Sequence, residues 1–117
     1  MNDNHATAHF LDELYETIAS RKGGNPEISY TAKLFEGGLE KMAGKIGEEA
    51  TEAIVAALRE TPDHVISESA DLLYHLLVLW AEQGITPEDV FGELQSRTGR
   101  SGVEEKESRD QETDDGL

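Results

Sequence analysis

A chain of 117 residues with a formal net charge of −15 and 37% apolar side chains has room for one domain and a modest core. That charge speaks against a nucleic-acid backbone or an anionic membrane surface as partner, because both call for a basic face. Cysteine is absent, which removes disulfides and thiolate metal sites and fits a reducing, cytoplasmic setting.

The opening Met-Asn-Asp-Asn-His lacks the basic and apolar regions of a secretory signal. Residues 8–22 read as an amphipathic helix, with Phe10, Leu11, Leu14 and Ile18 as its apolar stripe. Gly23-Gly24-Asn25-Pro26 ends it in a loop. Ser29 is placed to cap a short helix through Lys33 to Phe35. Gly37-Gly38 breaks or bends the chain, and a longer helix follows from about Leu39 to Glu60. Thr61-Pro62 then gives a cap followed by a proline at the first helical position. The helix it starts runs to about Gln83, where Gly84 stops it. Its most apolar stretch, residues 72–81, is too short to span a bilayer and is interrupted by His75. Thr86-Pro87 repeats the start signal for a last helix through about Arg97, with Asp89 three residues after the cap.

No segment alternates at period two, so the expected fold is all-α: four or five helices with short connections and antiparallel neighbours. The helical domain is expected over residues 1–98. Residues 99–117 are acidic, almost without apolar side chains, and read as a disordered tail.

Two acidic pairs share one spacing. Glu49 and Glu52 lie in Gly-Glu-Glu-Ala-Thr-Glu, and Glu68 and Asp71 in Glu-Ser-Ala-Asp. At about 100° per residue, Ile46, Ala50, Ala53, Ile54 and Ala57 share one face of the earlier helix, and Glu48, Glu49 and Glu52 form a band at its edge. On the later helix, Val65, Ile66, Leu72, Leu73, Leu76, Leu77, Val78, Leu79 and Trp80 cover most of the circumference. Glu68, Asp71, His75 and Glu82 make its one polar stripe, so Glu68 and Asp71 are the least surface-like acids. A solvated face is the plainer reading for the first band, and a weaker one for the second pair. Two such pairs on helices joined by a short hairpin would gather four carboxylates. That arrangement repels itself unless a cation or shared protons neutralise it, and oxygen ligands select a hard cation, Mg²⁺ with a phosphate substrate first. His75 reads as a helix-interior histidine bonded to Asp71 or a backbone carbonyl. The Glu-x-x-His motifs of a di-iron bundle do not occur.

Lys45 stands one turn before Glu49. An ordinary ion pair competes there with a phosphate contact at the rim of the metal site. For Lys33, a solvated lysine and a phosphate contact are equally consistent. No cysteine, Gly-x-Ser-x-Gly or Gly-x-x-x-x-Gly-Lys motif offers a nucleophile or a phosphate loop, which leaves activated water as the simplest attacking group.

The runs Ser-Tyr-Thr-Ala-Lys-Leu (29–34), Lys-Ile-Gly-Glu-Glu-Ala-Thr-Glu (45–52) and Glu-Ser-Ala-Asp-Leu-Leu-Tyr-His-Leu-Leu-Val-Leu (68–79) resemble phosphoribosyl-ATP pyrophosphohydrolase of histidine biosynthesis. The resemblance covers about residues 9–97. The acidic pattern alone is shared by the wider all-α, MazG-like nucleoside triphosphate pyrophosphohydrolases. The resemblance implies Mg²⁺-dependent hydrolysis at the α–β phosphate linkage, giving phosphoribosyl-AMP and pyrophosphate. It assigns Glu49, Glu52, Glu68 and Asp71 to Mg²⁺, Glu48 to a further metal or the attacking water, and Lys33 and Lys45 to substrate phosphates. It also implies a homodimer or larger assembly in which paired helices complete a four-helix core. Two other readings compete: a house-cleaning hydrolase of dUTP, dCTP or damaged nucleotides, and a non-enzymatic helical interaction module.

Overall fold

The computed structural model describes residues 8–98, and the acidic tail expected from residue 99 lies outside them. All regular structure among the described residues is helical: α1 (Ala8–Ser20), α2 (Tyr30–Arg59), α3 (Pro62–Gln83) and α4 (Pro87–Ser96). The start signals act as expected. Ser29 has extended backbone, and its hydroxyl accepts from the Ala32 N–H at 3.0 Å. Thr61 does the same for His64 at 3.3 Å, with Pro62 at the first helical position. Each cap satisfies a backbone donor that no helix carbonyl can reach. Gly84 ends α3 in the left-handed region at φ 74°.

The glycine pair divides α2 without ending it. Gly38 has φ 87° and ψ 178° inside an otherwise continuous helix. A side chain there would meet open space, so the left-handed backbone alone favours glycine. The kink lets one helix contribute to the core from both sides. Leu34 and Phe35 precede it and Met42 follows it, and all three are buried with Ile18 of α1 and Leu77 and Val78 of α3. Removing each of the larger side chains from water contributes about 1.5–3 kcal/mol. Leu11, Leu14, Tyr15, Tyr74, Leu79 and Trp80 pack around this core, whereas Phe10 of the expected α1 stripe stays exposed.

The short connection at Glu60-Thr61 turns the chain back, and α3 lies along α2. α1 packs on α3 as well. The Tyr15 hydroxyl donates to the Ile85 carbonyl at 2.6 Å, fastening α1 to the segment just after α3. Lys22 pairs with Glu82 at 3.2 Å and lies over the Phe35 ring. The described chain divides into two compact units at Pro87/Glu88. In the second, Arg97 Nε donates to Glu93 at 3.0 Å, one turn back on α4.

α3 is less uniformly covered than its composition suggests. Leu77 and Val78 are fully buried, but Ile66 is 67% exposed and Leu73 is also exposed. Near the end of α2, Ala56 is buried and its neighbour Ala57 faces solvent. Ile54, Val55 and Leu58 join Ile66 in an uncovered apolar face near the hairpin turn, where Ala56, Ala57, Pro62 and Val65 line a shallow groove.

Candidate active site

The α2–α3 hairpin brings the two acidic pairs together. Glu68 is acted on by Glu52, Asp71 and Glu49, so all four carboxylates share one electrostatic neighbourhood. Their burial departs from the helical-wheel expectation. Glu49, expected at a rim, is the enclosed acid, with its side chain 14% exposed. Asp71, expected on a covered helix, is exposed, as is Glu52. Glu49 lies against the buried His75, whose other ring nitrogen meets Tyr30 of the first turn of α2.

Two carboxylate oxygens, Glu49 Oε1 and Glu68 Oε1, are buried without a hydrogen-bond partner. Glu49 Oε1 does lie 2.5 Å from His75 Nδ1. That nitrogen directs its hydrogen to the Asp71 carbonyl at 2.9 Å, so Glu49 receives a close polar contact rather than an aligned bond. An orphaned carboxylate oxygen is costly unless something positive satisfies it. Among the described residues, no three His, Asp or Glu side chains stand already converged around a cation position. The donor set is nonetheless all carboxylate oxygen with two buried orphans, which fits a hard divalent ion that retains water and shares its shell with a phosphate.

Loss of hydration pushes the Glu68 carboxyl above its ordinary value of 4.5, and the Glu52 carboxylate, near enough to share a proton, pushes it further; Asp71 and Glu49 add to the rise. A carboxyl raised in the folded state binds more protons there than in the unfolded chain. Its stabilising share is therefore complete below pH 4.5 and is lost as pH rises through the folded value. In EDTA, Glu68→Gln is expected to melt above the parent protein at pH 8, with the gap closing towards pH 4. Melting curves at both pH values check this, and a gap independent of pH would show that Glu68 is not strained.

His75 is buried and fully engaged. Its Nε2 and the Tyr30 hydroxyl share a hydrogen bond at 3.0 Å, and Tyr30 and Tyr74 both meet its ring edge-on. Beside this pair, the Thr31 and Tyr74 hydroxyls hydrogen-bond to each other. Two adjacent residues of the first turn of α2 thus fasten to two adjacent residues of α3. Burial raises the pKa of the Tyr30 phenol; Lys45 opposes the rise, while Glu49, Tyr74 and Asp71 reinforce it. The expected His75–carbonyl bond is present. Its contacts with Tyr30 and Glu49 had no signal in the spacing, because they cross between segments.

The remaining expected residues lie further out. Lys45 is half-buried and close enough to act on Tyr30, which puts it at the rim of the acids. It makes no ion pair with Glu49 among the described residues. Lys33 is exposed on the first turn of α2, and Glu48 is exposed and not among the groups acting on Glu68.

An all-helical chain with carboxylates facing one another across a hairpin defines a helical protein with an acidic, oxygen-donor site. The sequence profile of the phosphoribosyl-ATP pyrophosphohydrolase family matches residues 11–98. Phosphoribosyl-ATP pyrophosphatase of Paramagnetospirillum magneticum is 61% identical over 99 residues, which is 85% of this chain and 91% of that protein. The protein of the same name from Azospirillum brasilense is 50% identical, over 93% of this chain and 98% of its own. That from Paracoccus denitrificans is 54% identical, over 93% and 99%. The chain belongs to the phosphoribosyl-ATP pyrophosphohydrolase family, a family of hydrolases. No helix among the described residues is long and apolar enough to cross a membrane.

Proposed function

We propose that this protein hydrolyses phosphoribosyl-ATP to phosphoribosyl-AMP and pyrophosphate, the second step of histidine biosynthesis, using Mg²⁺ and acting as a cytoplasmic homodimer. Family membership supports the substrate, since relatives at 46–61% identity carry that activity in their names. The observation that carries the chemistry is the clustering of four carboxylates around Glu68, with Glu49 Oε1 and Glu68 Oε1 buried and without a hydrogen bond. Glu49, Glu52, Glu68 and Asp71 would hold Mg²⁺. When bound, that ion supplies positive charge to the pyrophosphate leaving group and lowers the pKa of a coordinated water.

The chain's own residues account for the rest. Glu48, next to Glu49 in sequence, would orient the attacking water or assist a further ion. Lys45 at the rim would bind substrate phosphate, and the exposed Lys33 would be a second phosphate contact. A water oxygen is added at the α–β anhydride, the bridging P–O bond breaks, and pyrophosphate leaves. The uncovered face of Ile54, Leu58 and Ile66 supports the dimer, because side chains 59–77% exposed in one patch need a partner surface.

The test is a side-by-side substrate panel with purified protein and Mg²⁺. Phosphoribosyl-ATP is expected to turn over in preference to dUTP and dCTP, with pyrophosphate as product. Preferential turnover of a deoxynucleoside triphosphate would overturn the substrate and favour a house-cleaning role.

A further inference from the structure

Tyr30 is an aromatic side chain left open beside the acids. Lys45, Glu49 and Asp71 all act on its phenol, so it stands at the edge of their cluster. Its hydroxyl is tied to His75 Nε2 at 3.0 Å, yet the residue is 52% exposed. The two ring centroids are 6.0 Å apart, with the planes at 86°. At that separation, and with the hydroxyl on the ring nitrogen, the phenol meets the imidazole edge by its tip. The contact leaves the phenol faces free of the imidazole. Of the neighbouring aromatics, Phe35 is buried and Tyr74 packs against the core, so neither offers a comparable surface. A ring fixed at its tip and open on its face gives up little freedom when a flat ligand stacks on it.

We propose that the Tyr30 ring is the platform on which the purine of the substrate stacks, a specificity-determining role that rests on the functional reading of the acidic cluster and extends it to the base. In a nucleotide, a single ribose separates the α-phosphate from the base. With the α–β linkage held at the carboxylates and Lys45, the base comes to rest at the edge of the cluster, where Tyr30 stands. Phosphoribosyl-ATP carries a ribose phosphate on each of two edges of its purine. The ring faces are then the part of the base most open to recognition, and a flat aromatic side chain is the partner that reads a face. Pyrophosphate has no base and does not meet the ring.

The experiment titrates phosphoribosyl-AMP and pyrophosphate calorimetrically, each with Mg²⁺, into the full chain and its Tyr30→Leu and Tyr30→Phe variants. Tyr30→Leu keeps an apolar side chain and loses the π face. It is expected to weaken phosphoribosyl-AMP by about tenfold and to leave pyrophosphate binding as in the parent. Tyr30→Phe restores a ring and is expected to recover most of the lost affinity. Equal weakening of both ligands in Tyr30→Leu, or no weakening of phosphoribosyl-AMP, would overturn the stacking role while the phosphate site stands. A phenylalanine variant that binds no tighter than the leucine variant would overturn it as well, and so would a parent that binds pyrophosphate but not phosphoribosyl-AMP. If the parent binds neither product, the functional reading fails and the stacking role fails with it. Should Tyr30→Leu not fold, NMR of the parent with phosphoribosyl-AMP decides: contacts between the Tyr30 ring protons and the purine protons support stacking, and their absence overturns it.

Discussion

Glu52→Gln and Asp71→Asn each lower pyrophosphate release from phosphoribosyl-ATP by at least about a hundredfold, with no loss of folded structure. Both replacements keep side-chain size and remove one negative charge. Both acids are exposed, so neither change opens a cavity. Each also removes a carboxylate that acts on the raised Glu68 carboxyl, so the cation-free variants are expected to melt at or above the parent temperature. Loss of turnover together with unchanged or raised stability is the signature of a ligand set, because a structural role would move the two downwards together. Steady-state rates with Mg²⁺ and melting curves in EDTA check it. Full turnover in either variant, or in the parent with EDTA, would sink the metal-site argument.

Leu58→Asp separates the proposed dimer into protomers. Leu58 is the most exposed of the apolar side chains on the hairpin face, and Ile54 and Ile66 flank it. In a symmetric interface one substitution appears twice. Each ionised carboxylate forced out of water costs several kcal/mol when nothing pairs it. Molar mass from light scattering is expected to halve, with helix content kept. Ile28→Asp is the control: Ile28 is even more exposed, but it sits in the loop before α2. Unchanged mass in Leu58→Asp would remove this face from the interface.

Much of the fold was legible because its signals are local. Ser29 and Thr61 cap their own helices, Pro62 can stand only near a helix start, and Gly84 and Gly38 occur where φ is positive. The two acid pairs were legible for a similar reason: three-residue spacing fixes a face, and a short connection fixes which helices meet. What spacing could not supply was how the segment before Gly38 crosses α3. A helical wheel gives direction about a helix's own axis and says nothing of what arrives from elsewhere. Glu49 is enclosed against His75 while Asp71 stays open, which reverses the burial order the wheel suggested. The same crossing creates the Tyr30–His75 contact, 45 residues apart in sequence. Ile66 stays exposed for the matching reason: an apolar circumference states a demand for cover, and one chain leaves part of that demand unmet.

The bond from Tyr15 to the Ile85 carbonyl also sets an order of events during synthesis. α1 leaves the ribosome first, yet the groups that receive it are made 70 residues later. At about 5–20 residues per second, the delay is roughly 4–14 s. Until α3 is made, Leu11, Leu14 and Ile18 have Leu34, Phe35 and Met42 of the core but lack Leu77 and Val78. The α2–α3 hairpin, whose contacts nearest the turn are close in sequence, can form before Ile85 is made to anchor α1. The first helix made thus waits for the third to complete its cover, and the nascent chain carries a partly uncovered apolar stripe near its leading end.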